Sequence, residues 1–364
     1  MNFELTESEN MVRDTARKFL AQHTSIDDKI RADDSATGYS DAVWKEVAGL
    51  GWLALVHAAD SDEITTLGIL AEEIGRVSFA SPFLSCISAG LVLAHTGSAS
   101  VEPRLDSVAA GEQILALVDL ATAQMPLVAK RSADGAILQG GPALVEWGNR
   151  ADAFVIPIQL DGKSFVACID RATKGLGIKD VKRIDNARSA AVSFDGVTIS
   201  SANLLMIDPN VLEEALGLCR LLAAVEAIGG AYGALDVTVA HVKERVQFGR
   251  QIGSFQAVKH GLADSRALMD GAWLATWDGL AKAAKGQALE GSPALASWLV
   301  KRAFQDMAYK GSQYQGGMGH VVESHMQFYY RRAANLHGRF GSEWDMLGKI
   351  AANYVVPKFN LLTT

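Results

Sequence analysis

The sequence is poor in cysteine, with three among 364 residues, at Cys86, Cys168 and Cys219. The number is odd and the three lie far apart, so they match neither a disulfide framework nor the ligand spacing of a metal or redox site. We interpret them as buried, small apolar residues in a reducing compartment. We therefore predict no metal site.

Long hydrophobic runs and excess positive charge are also missing. No run of about 18 uncharged apolar residues occurs, so the sequence predicts no membrane-spanning helix, and the charged segment from Met1 to Phe19 does not resemble a signal peptide. The formal net charge of -7 argues against a nucleic-acid partner, which requires a basic face. These absences favour a cytoplasmic enzyme or binding protein.

What is present is typical of a soluble globular protein, with 49% hydrophobic and 21% charged residues. The chain is long enough for two or three packed units. Its hydrophobic pattern changes twice, which predicts an N-terminal helical domain over residues 1–112, a small central β domain over 113–206 and a C-terminal helical bundle over 207–364. The predicted fold class is α+β, mostly α.

The central region contains short alternating runs that are typical of strands. Three Asp-Gly pairs lie between or within these runs and favour hairpin turns, at Asp134-Gly135, Asp161-Gly162 and Asp195-Gly196. The C-terminal region then begins with Asp208 as a candidate cap and Pro209 as a candidate first helical residue. Its helical pattern continues to about Val246, which predicts a helix on the order of 55 Å long.

The stretch RVQFGRQIGSFQ, from Arg245 to Gln256, follows that helix. In one interpretation a helix ends at Gly249 and the aromatic residues simply pack. In the other, Arg245 offers a planar, permanently charged group to a phosphate, with Phe248 beside it. A second stretch, QYQGGMG from Gln313 to Gly319, is either a plain helix-helix corner or a place of close backbone approach to a flat ring.

Together the two stretches resemble the acyl-CoA dehydrogenase family, in which an R-x-x-F-G-x-x-I-x-x-F-Q segment precedes Q-x-x-G-G-x-G. The matching residues are Arg245, Phe248, Gly249, Ile252, Phe255, Gln256, Gln313, Gly316, Gly317 and Gly319. The resemblance extends over the whole chain, since the family has N-terminal helices, a central β domain and a C-terminal four-helix bundle.

The resemblance implies FAD bound across a subunit interface, an acyl-CoA substrate and α,β-dehydrogenation of its thioester. It places Arg245, Phe248 and Gln256 on the pyrophosphate side of the cofactor. It places Gln313 and Gly317 at the adenosine side, adds Gly316 to the cofactor-binding residues, and puts Ser342 where the family has a threonine that touches FAD. It also implies an oligomer, and electron-transfer flavoprotein as the electron acceptor.

The reaction needs a carboxylate base, which typically contributes about 10²- to 10⁴-fold to the rate. The two positions at which the family carries its glutamate are occupied by Cys219 and Phe340, and neither can take a proton. Glu226 lies two turns after Cys219 on the same predicted helix face and is the candidate for an unusual base. Its alternative role is that of a structurally paired carboxylate.

The β domain departs from the family as well, because it lacks the T-E-P and G-S-D segments that contact the flavin. Trp147 either stands near the flavin ring or packs on the core. The chain is therefore similar to the base-lacking subunit of bacterial heteromeric acyl-CoA dehydrogenases, whose partner subunit supplies the base. A self-sufficient flavoenzyme with a non-standard base, forming a homodimer or tetramer, and a flavin-free assembly subunit are the alternatives.

Overall fold

The structure is a computed structural model, and it describes residues 4–58, 61–185 and 187–356. The helices are α1 Glu7–Gln22, α2 Ile26–Asp34, α3 Asp41–Gly49, α4 Ser61–Arg76, α5 Phe83–Ala94, α6 Glu102–Ala109, α7 Pro209–Glu244, α8 Gln256–Ala284, α9 Ser292–Gln315, α10 His325–Phe340 and α11 Glu343–Ile350. The strands are β1 Leu115–Leu117, β2 Val128–Ser132, β3 Gly135–Glu146, β4 Ala153–Leu160, β5 Lys163–Asp170, β6 Leu176–Val181, β7 Ser189–Ser200, β8 Leu204–Met206, β9 Val246–Gln247 and β10 Arg250–Gln251.

This order of elements confirms the predicted α+β, mostly helical fold class. The chain divides into two compact units, each discontinuous in sequence. The helical unit comprises residues 1–31, 61–79 and 220–364, and the sheet unit comprises residues 32–60 and 80–219. The three-domain division at residues 112 and 206 stays a prediction. No helix of the described ranges is both long and apolar enough to cross a membrane.

The sheet unit contains two four-stranded sheets. One has the strand order β1-β4-β5-β8, in which β1 and β4 are parallel, and the other is the antiparallel sheet β2-β3-β7-β6. Buried side chains of both sheets, among them Phe154, Phe165, Val192 and Phe194, form one hydrophobic cluster. The alternating runs of the sequence are therefore strands that each turn one face to this shared core.

Two of the three predicted Asp-Gly turns are confirmed. Ser132 pairs with Gly135 across the first turn, and Leu160 pairs with Lys163 across Asp161-Gly162. The prediction for Asp195-Gly196 is wrong, because this pair lies inside β7. Gly196 has a positive φ of 64° at this irregular point of the strand, and its amide donates to Gln139 Oε1 at 2.8 Å. A glycine that permits positive φ serves an irregular strand as well as a turn.

In the helical unit, α1 and α8 both contact α4, and α9 packs against α8, α10 and α11. The start of the long helix α7 is confirmed, since Asp208 Oδ1 accepts the Asn210 amide at 2.8 Å and Pro209 is its first residue. Helix α4 approaches α7 so closely that a Cβ at Gly75 would overlap the Glu226 carbonyl oxygen. This contact fixes the part of α7 that carries Glu226.

Candidate functional site

The segment after α7 is a short β-hairpin rather than a helix end. Helix α7 stops at Glu244, and β9 pairs with β10. The two residues of the turn, Phe248 and Gly249, have positive φ angles of 53° and 77°, the combination required by the tightest hairpin turns. Phe248 is 92% exposed. The interpretation in which a helix ends at Gly249 and Phe248 packs in the interior is therefore wrong.

Charge and aromatic rings are combined around this hairpin. The Arg250 guanidinium lies 4.0 Å from the centroid of the Phe255 ring, and the rings of Phe255 and Phe248 meet edge to face at 6.2 Å. Arg245, at the hairpin base, is exposed, and its carbonyl oxygen accepts the Ile252 amide at 2.9 Å. The sequence motifs assigned no role to Arg250, and the structure places it against the Phe255 ring.

Helix α8 begins at Gln256 directly beyond Phe255, whose carbonyl oxygen accepts the amides of Val258 and Lys259. No side chain of the described residues caps this helix start. The first amides of a helix have no partner within the helix, and together with the helix dipole they attract an anion. The start of α8, with exposed Arg245 nearby in sequence, therefore fits a phosphate-bearing ligand.

We call the loop from Gly316 to Ser324 the glycine corner. It joins α9 to α10, and it begins with Gly316 at φ 59° and ψ -138°, a conformation that is open almost only to glycine. Gln313 and Gly317 are exposed, and no atom lies within 4 Å of where a Cβ of Gly317 would stand. The corner thus leaves the Gln313 side chain and the backbone of Gly316 and Gly317 open to a ligand.

Tyr314 brings the two sequence segments together. It lies between Gln313 and the glycine corner, and its hydroxyl oxygen is 3.5 Å from the Ala257 carbonyl oxygen in the first turn of α8. The ring fits against α8 only because residue 261 is glycine, since a Cβ there would overlap Tyr314 Oη. The end of α9 and the start of α8 therefore face the same side of the bundle, and no sequence signal pointed to Tyr314.

Ser342 lies apart from these contacts in sequence, at the N-cap position of α11. Its side chain makes no cap hydrogen bond, and the residue is exposed. The following residue, Glu343, accepts a hydrogen bond from Trp298 Nε1 at 3.1 Å, which attaches α11 to α9. The backbone of Ser342 thus stands at a helix start that is attached to α9, with its side chain exposed.

The candidate base, Glu226, is engaged by two arginines of α10. Its carboxylate lies 2.7 Å from Arg339 Nη1 and 3.6 Å from Arg332 Nη1, and its side chain is only 14% exposed. Cys219 is buried with its thiol 3.4 Å from the Ser88 carbonyl oxygen. Phe340 is half-buried at the end of α10. The base role of Glu226 stays a prediction, and these ion pairs give the residue a structural role in the helical unit.

Trp147 and the remaining cysteines belong to the sheet unit. Trp147 has a positive φ of 58° and meets the Tyr39 ring edge to face at 5.8 Å. Burial raises the pKa of the Cys86 thiol to about 12 and that of Cys168 to about 11. Both thiols therefore stay protonated and inert at neutral pH, as expected for buried apolar residues.

Comparisons with known proteins place the chain in one family. Residues 6–112 match the family model for the acyl-CoA dehydrogenase N-terminal domain, and residues 210–353 match that for the C-terminal domain. Acyl-CoA dehydrogenase IpdE2 of Mycolicibacterium smegmatis is 27% identical over 353 residues, which is 96% of this chain and 99% of the relative.

Two further matches span most of the chain. Cyclohex-1-ene-1-carbonyl-CoA dehydrogenase of Geobacter metallireducens is 26% identical, covering 89% of this chain and 90% of the relative. The ChsE4-ChsE5 complex from Mycobacterium tuberculosis contains a chain with a TM-score of 0.89 at 20% identity, covering 97% of this chain and 98% of that one. At this identity the structural likeness establishes the fold.

Proposed function

The chain belongs to the acyl-CoA dehydrogenase family, and from that premise we propose that it takes part in FAD-dependent α,β-dehydrogenation of an acyl-CoA thioester as a partner subunit without the usual catalytic glutamate. The observation that carries this proposal is the exposed hairpin. An aromatic side chain that is 92% exposed at the tip of a positive-φ turn contributes nothing to its own core. The same hairpin also exposes Arg245 and Arg250, and aromatic and arginine side chains are the residue types enriched at binding interfaces.

In this proposal FAD, when bound, supplies the acceptor for the hydride that leaves the β carbon of the substrate. Arg245 and the uncapped start of α8 at Gln256 hold the pyrophosphate, because charge-assisted hydrogen bonds and the helix dipole both favour an anion there. Phe248 covers the pyrophosphate side from the hairpin tip. The exposed Gln313 amide and the backbone of Gly317 hold the adenosine, and Ser342 adds a hydroxyl contact.

The proton at the α carbon is taken by a partner subunit. The two family base positions carry Cys219 and Phe340, which cannot accept it, and the Glu226 carboxylate is occupied by the arginines of α10. The ChsE4-ChsE5 match supports a partner, since the matching chain is there part of a complex between two proteins. We further propose electron-transfer flavoprotein as the electron acceptor.

The test is to purify the chain alone and together with a longer relative that carries the glutamate, encoded in a neighbouring reading frame. We expect the assembly to be yellow and its flavin absorbance to bleach on anaerobic addition of acyl-CoA, because both halves of the site are then present. The chain alone should not bleach. Bleaching by the chain alone would instead favour a self-sufficient enzyme, and a colourless assembly would favour a flavin-free subunit.

The pyrophosphate contact is tested by Arg245→Ala in that assembly. Losing a charge-assisted hydrogen bond costs about 1.5–3 kcal/mol, so FAD should bind roughly ten- to a hundredfold more weakly. Arg266→Ala is the matched control, because it removes the same charge from an ion pair with Asp270 farther along α8. Equal flavin occupancy in the Arg245 variant and the wild type would refute the assigned role.

A further inference from the structure

Beneath the glycine corner lies Gln315, a residue of QYQGGMG that has no part in the cofactor contacts proposed above. It is the last residue of α9, and it is only 9% exposed although its side chain is a polar amide. Its neighbour Gln313 is exposed. Gln313 is therefore exposed to solvent, whereas Gln315, two residues later, is buried in the protein.

The Gln315 amide spans the corner from inside. Its Oε1 accepts a hydrogen bond from Ser324 Oγ at 3.3 Å. Ser324 is the N-cap residue of α10, where its Oγ also accepts the Met326 amide at 3.2 Å. One side-chain contact thus joins the last residue of α9 to the N-cap residue of α10. It spans the glycine corner, in which three residues are glycines.

The same amide is only partly satisfied. Gln315 Nε2 and Ser312 Oγ are buried and have no hydrogen-bond partner among the residues that the structure describes. Ser312 lies one turn earlier on the same face of α9. Buried polar groups are nearly always hydrogen-bonded, so an apolar side chain would suit stability better at position 315. Among the described residues, the one side-chain hydrogen bond of this amide is its contact with Ser324.

The corner has little freedom once this contact is made. A Cβ at Gly319 would stand 2.8 Å from the Ser312 carbonyl oxygen, so the loop lies directly on the last turn of α9. The Ser324 amide donates to the Val321 carbonyl oxygen at 3.1 Å. Fixing Ser324 from Gln315 therefore fixes the far end of the corner, while its near end is continuous with the helix that carries Gln313.

We propose that Gln315 is a positioning residue, which holds the glycine corner through Ser324 so that Gln313 and Gly317 keep the geometry that binds the adenosine half of FAD. This inference rests on the proposed function. Gln315 touches no ligand itself, and its effect is on how long the dinucleotide stays bound. Loosening the corner must therefore weaken dinucleotide binding without weakening the fold.

The experiment compares Gln315→Leu with Gln305→Leu in the full-length protein, purified as the FAD-binding assembly. Gln305 is the matched control because its Nε2 also makes a side-chain contact from α9 toward α10, to the Ala333 carbonyl oxygen at 3.3 Å, about three turns away. Two quantities are measured for each variant: the rate of FAD release, from the recovery of flavin fluorescence, and the midpoint of urea unfolding with ligand removed.

We expect Gln315→Leu to release FAD about three- to tenfold faster, the range for losing one ordinary hydrogen bond. Its unfolding midpoint should stay equal or rise, because a half-satisfied buried amide is replaced by an apolar group. Gln305→Leu should leave the release rate unchanged. Ser324→Ala should release FAD as fast as Gln315→Leu does. Combining Gln315→Leu with Ser324→Ala should give no further increase in the release rate, because both substitutions remove the same hydrogen bond. Ser324→Thr keeps the hydroxyl and should release FAD as slowly as the wild type.

The outcomes separate this inference from the function on which it rests. A wild-type assembly that binds neither FAD nor ADP overturns the proposed function and this inference with it. Wild-type binding with an unchanged release rate in Gln315→Leu overturns the inference alone. A variant that loses stability and ligand in parallel shows that Gln315 merely supports the fold, which also overturns it.

Discussion

The Glu226 carboxylate lies between Arg332 and Arg339 of α10, largely shielded from solvent. Removing one partner of a buried ion pair strongly destabilises the folded protein, because the other charge is left buried without compensation. The arrangement explains how an acidic residue is accommodated in an otherwise apolar part of α7. The sequence leaves two roles open for this residue, those of a catalytic base and of a structurally paired carboxylate, and variants of Glu226 and of its arginine partner distinguish them.

We expect Glu226→Gln to lower the free energy of unfolding by about 1–3 kcal/mol, because two guanidinium groups lose their carboxylate. Turnover of the assembly should change little, since the base comes from the partner subunit. Both are measured by urea unfolding and by the initial rate with acyl-CoA. Arg339→Gln is the control, as it breaks the same pair and keeps the carboxylate. If Glu226→Gln abolishes turnover and Arg339→Gln does not, Glu226 is the base.

Lys29 is a second buried ionisable residue, and no pattern in the sequence indicates its burial. The residue is 7% exposed, and its Nζ lies 3.2 Å from His325 Nδ1 and 5.5 Å from the centroid of the Tyr329 ring. Burial lowers the pKa of Lys29 to about 7, and the charge of Arg332 contributes. Burial, and then the charge of Lys29, lower the pKa of His325 as well.

A pH-dependent stability follows. In the unfolded chain the Lys29 amine keeps its proton up to about pH 10, whereas in the folded chain it loses the proton near pH 7. The unfolded state then binds more protons in this window, so stability rises with pH by at most about 1.4 kcal/mol per unit. Relative to Lys29→Met, the wild type should gain stability between pH 7 and 10 in urea titrations. Below this window the difference should level off.

The control for this titration is Lys18→Met, which removes an exposed lysine from α1. It should leave the pH dependence of the wild type unchanged. A constant difference between wild type and Lys29→Met from pH 7 to pH 10 would mean that Lys29 keeps its ordinary pKa and that its amine is solvated.

At the scale of elements, the contact between α8 and the end of α9 depends on one missing Cβ. Tyr314 occupies the space beside Gly261, and the same helix carries Gly271, where no atom lies within 4 Å of a Cβ position. Both glycines lie within the helix α8, but a Cβ would overlap Tyr314 at Gly261 and would meet no atom at Gly271. Substituting each by alanine therefore separates steric fit from helix propensity.

We expect Gly261→Ala to destabilise the protein by roughly 1–3 kcal/mol, because Tyr314 must leave its position, and to weaken FAD binding by displacing the end of α9 from α8. Gly271→Ala should stabilise by about 0.5–1 kcal/mol, the helix-propensity gain of alanine over glycine. Urea midpoints and FAD affinity measure both effects. Improved stability in both variants would show that Tyr314 moves aside freely.

The hairpin between α7 and α8 is an element that the local sequence pattern did not predict. The sequence pattern predicted the long helix to about Val246, and α7 stops close by, at Glu244. The pattern did not predict the hairpin that follows, whose turn has positive φ at Phe248, a conformation that no propensity favours for phenylalanine. Asp195-Gly196 shows the converse, since its turn composition occurs within a strand.

At the scale of the whole molecule, the proposed cofactor contacts all belong to the helical unit, whereas Trp147 and the strands of the two four-stranded sheets belong to the sheet unit. A ligand that represents only the ADP half of FAD should therefore stabilise the helical unit. At a concentration of 100 times its Kd, such a ligand adds about 2.7 kcal/mol to the stability of the state that binds it.

Hydrogen exchange detects this effect segment by segment. With ADP added to the assembly, we expect slower exchange in peptides that cover residues 244–258 and 312–320, and no change in β4 and β5. The Arg245→Ala variant should lose the protection at the first segment. Protection of β4 and β5 without protection at residues 244–258 would place the dinucleotide elsewhere and contradict the proposed contacts.

The sequence by itself determined the fold class, the start of α7, the two segments that we propose as the site, and the residue identities Cys219 and Phe340 at the positions where the family carries its base. Each of these depends on residue identity or on periodicity along a few turns of chain. Only the tertiary structure decided that Phe248 projects into solvent, that Tyr314 joins α9 to α8, that Glu226 is ion-paired and that Lys29 and Gln315 are buried. These facts depend on which distant residues approach each other, and burial and pairing are properties of that approach rather than of the local sequence.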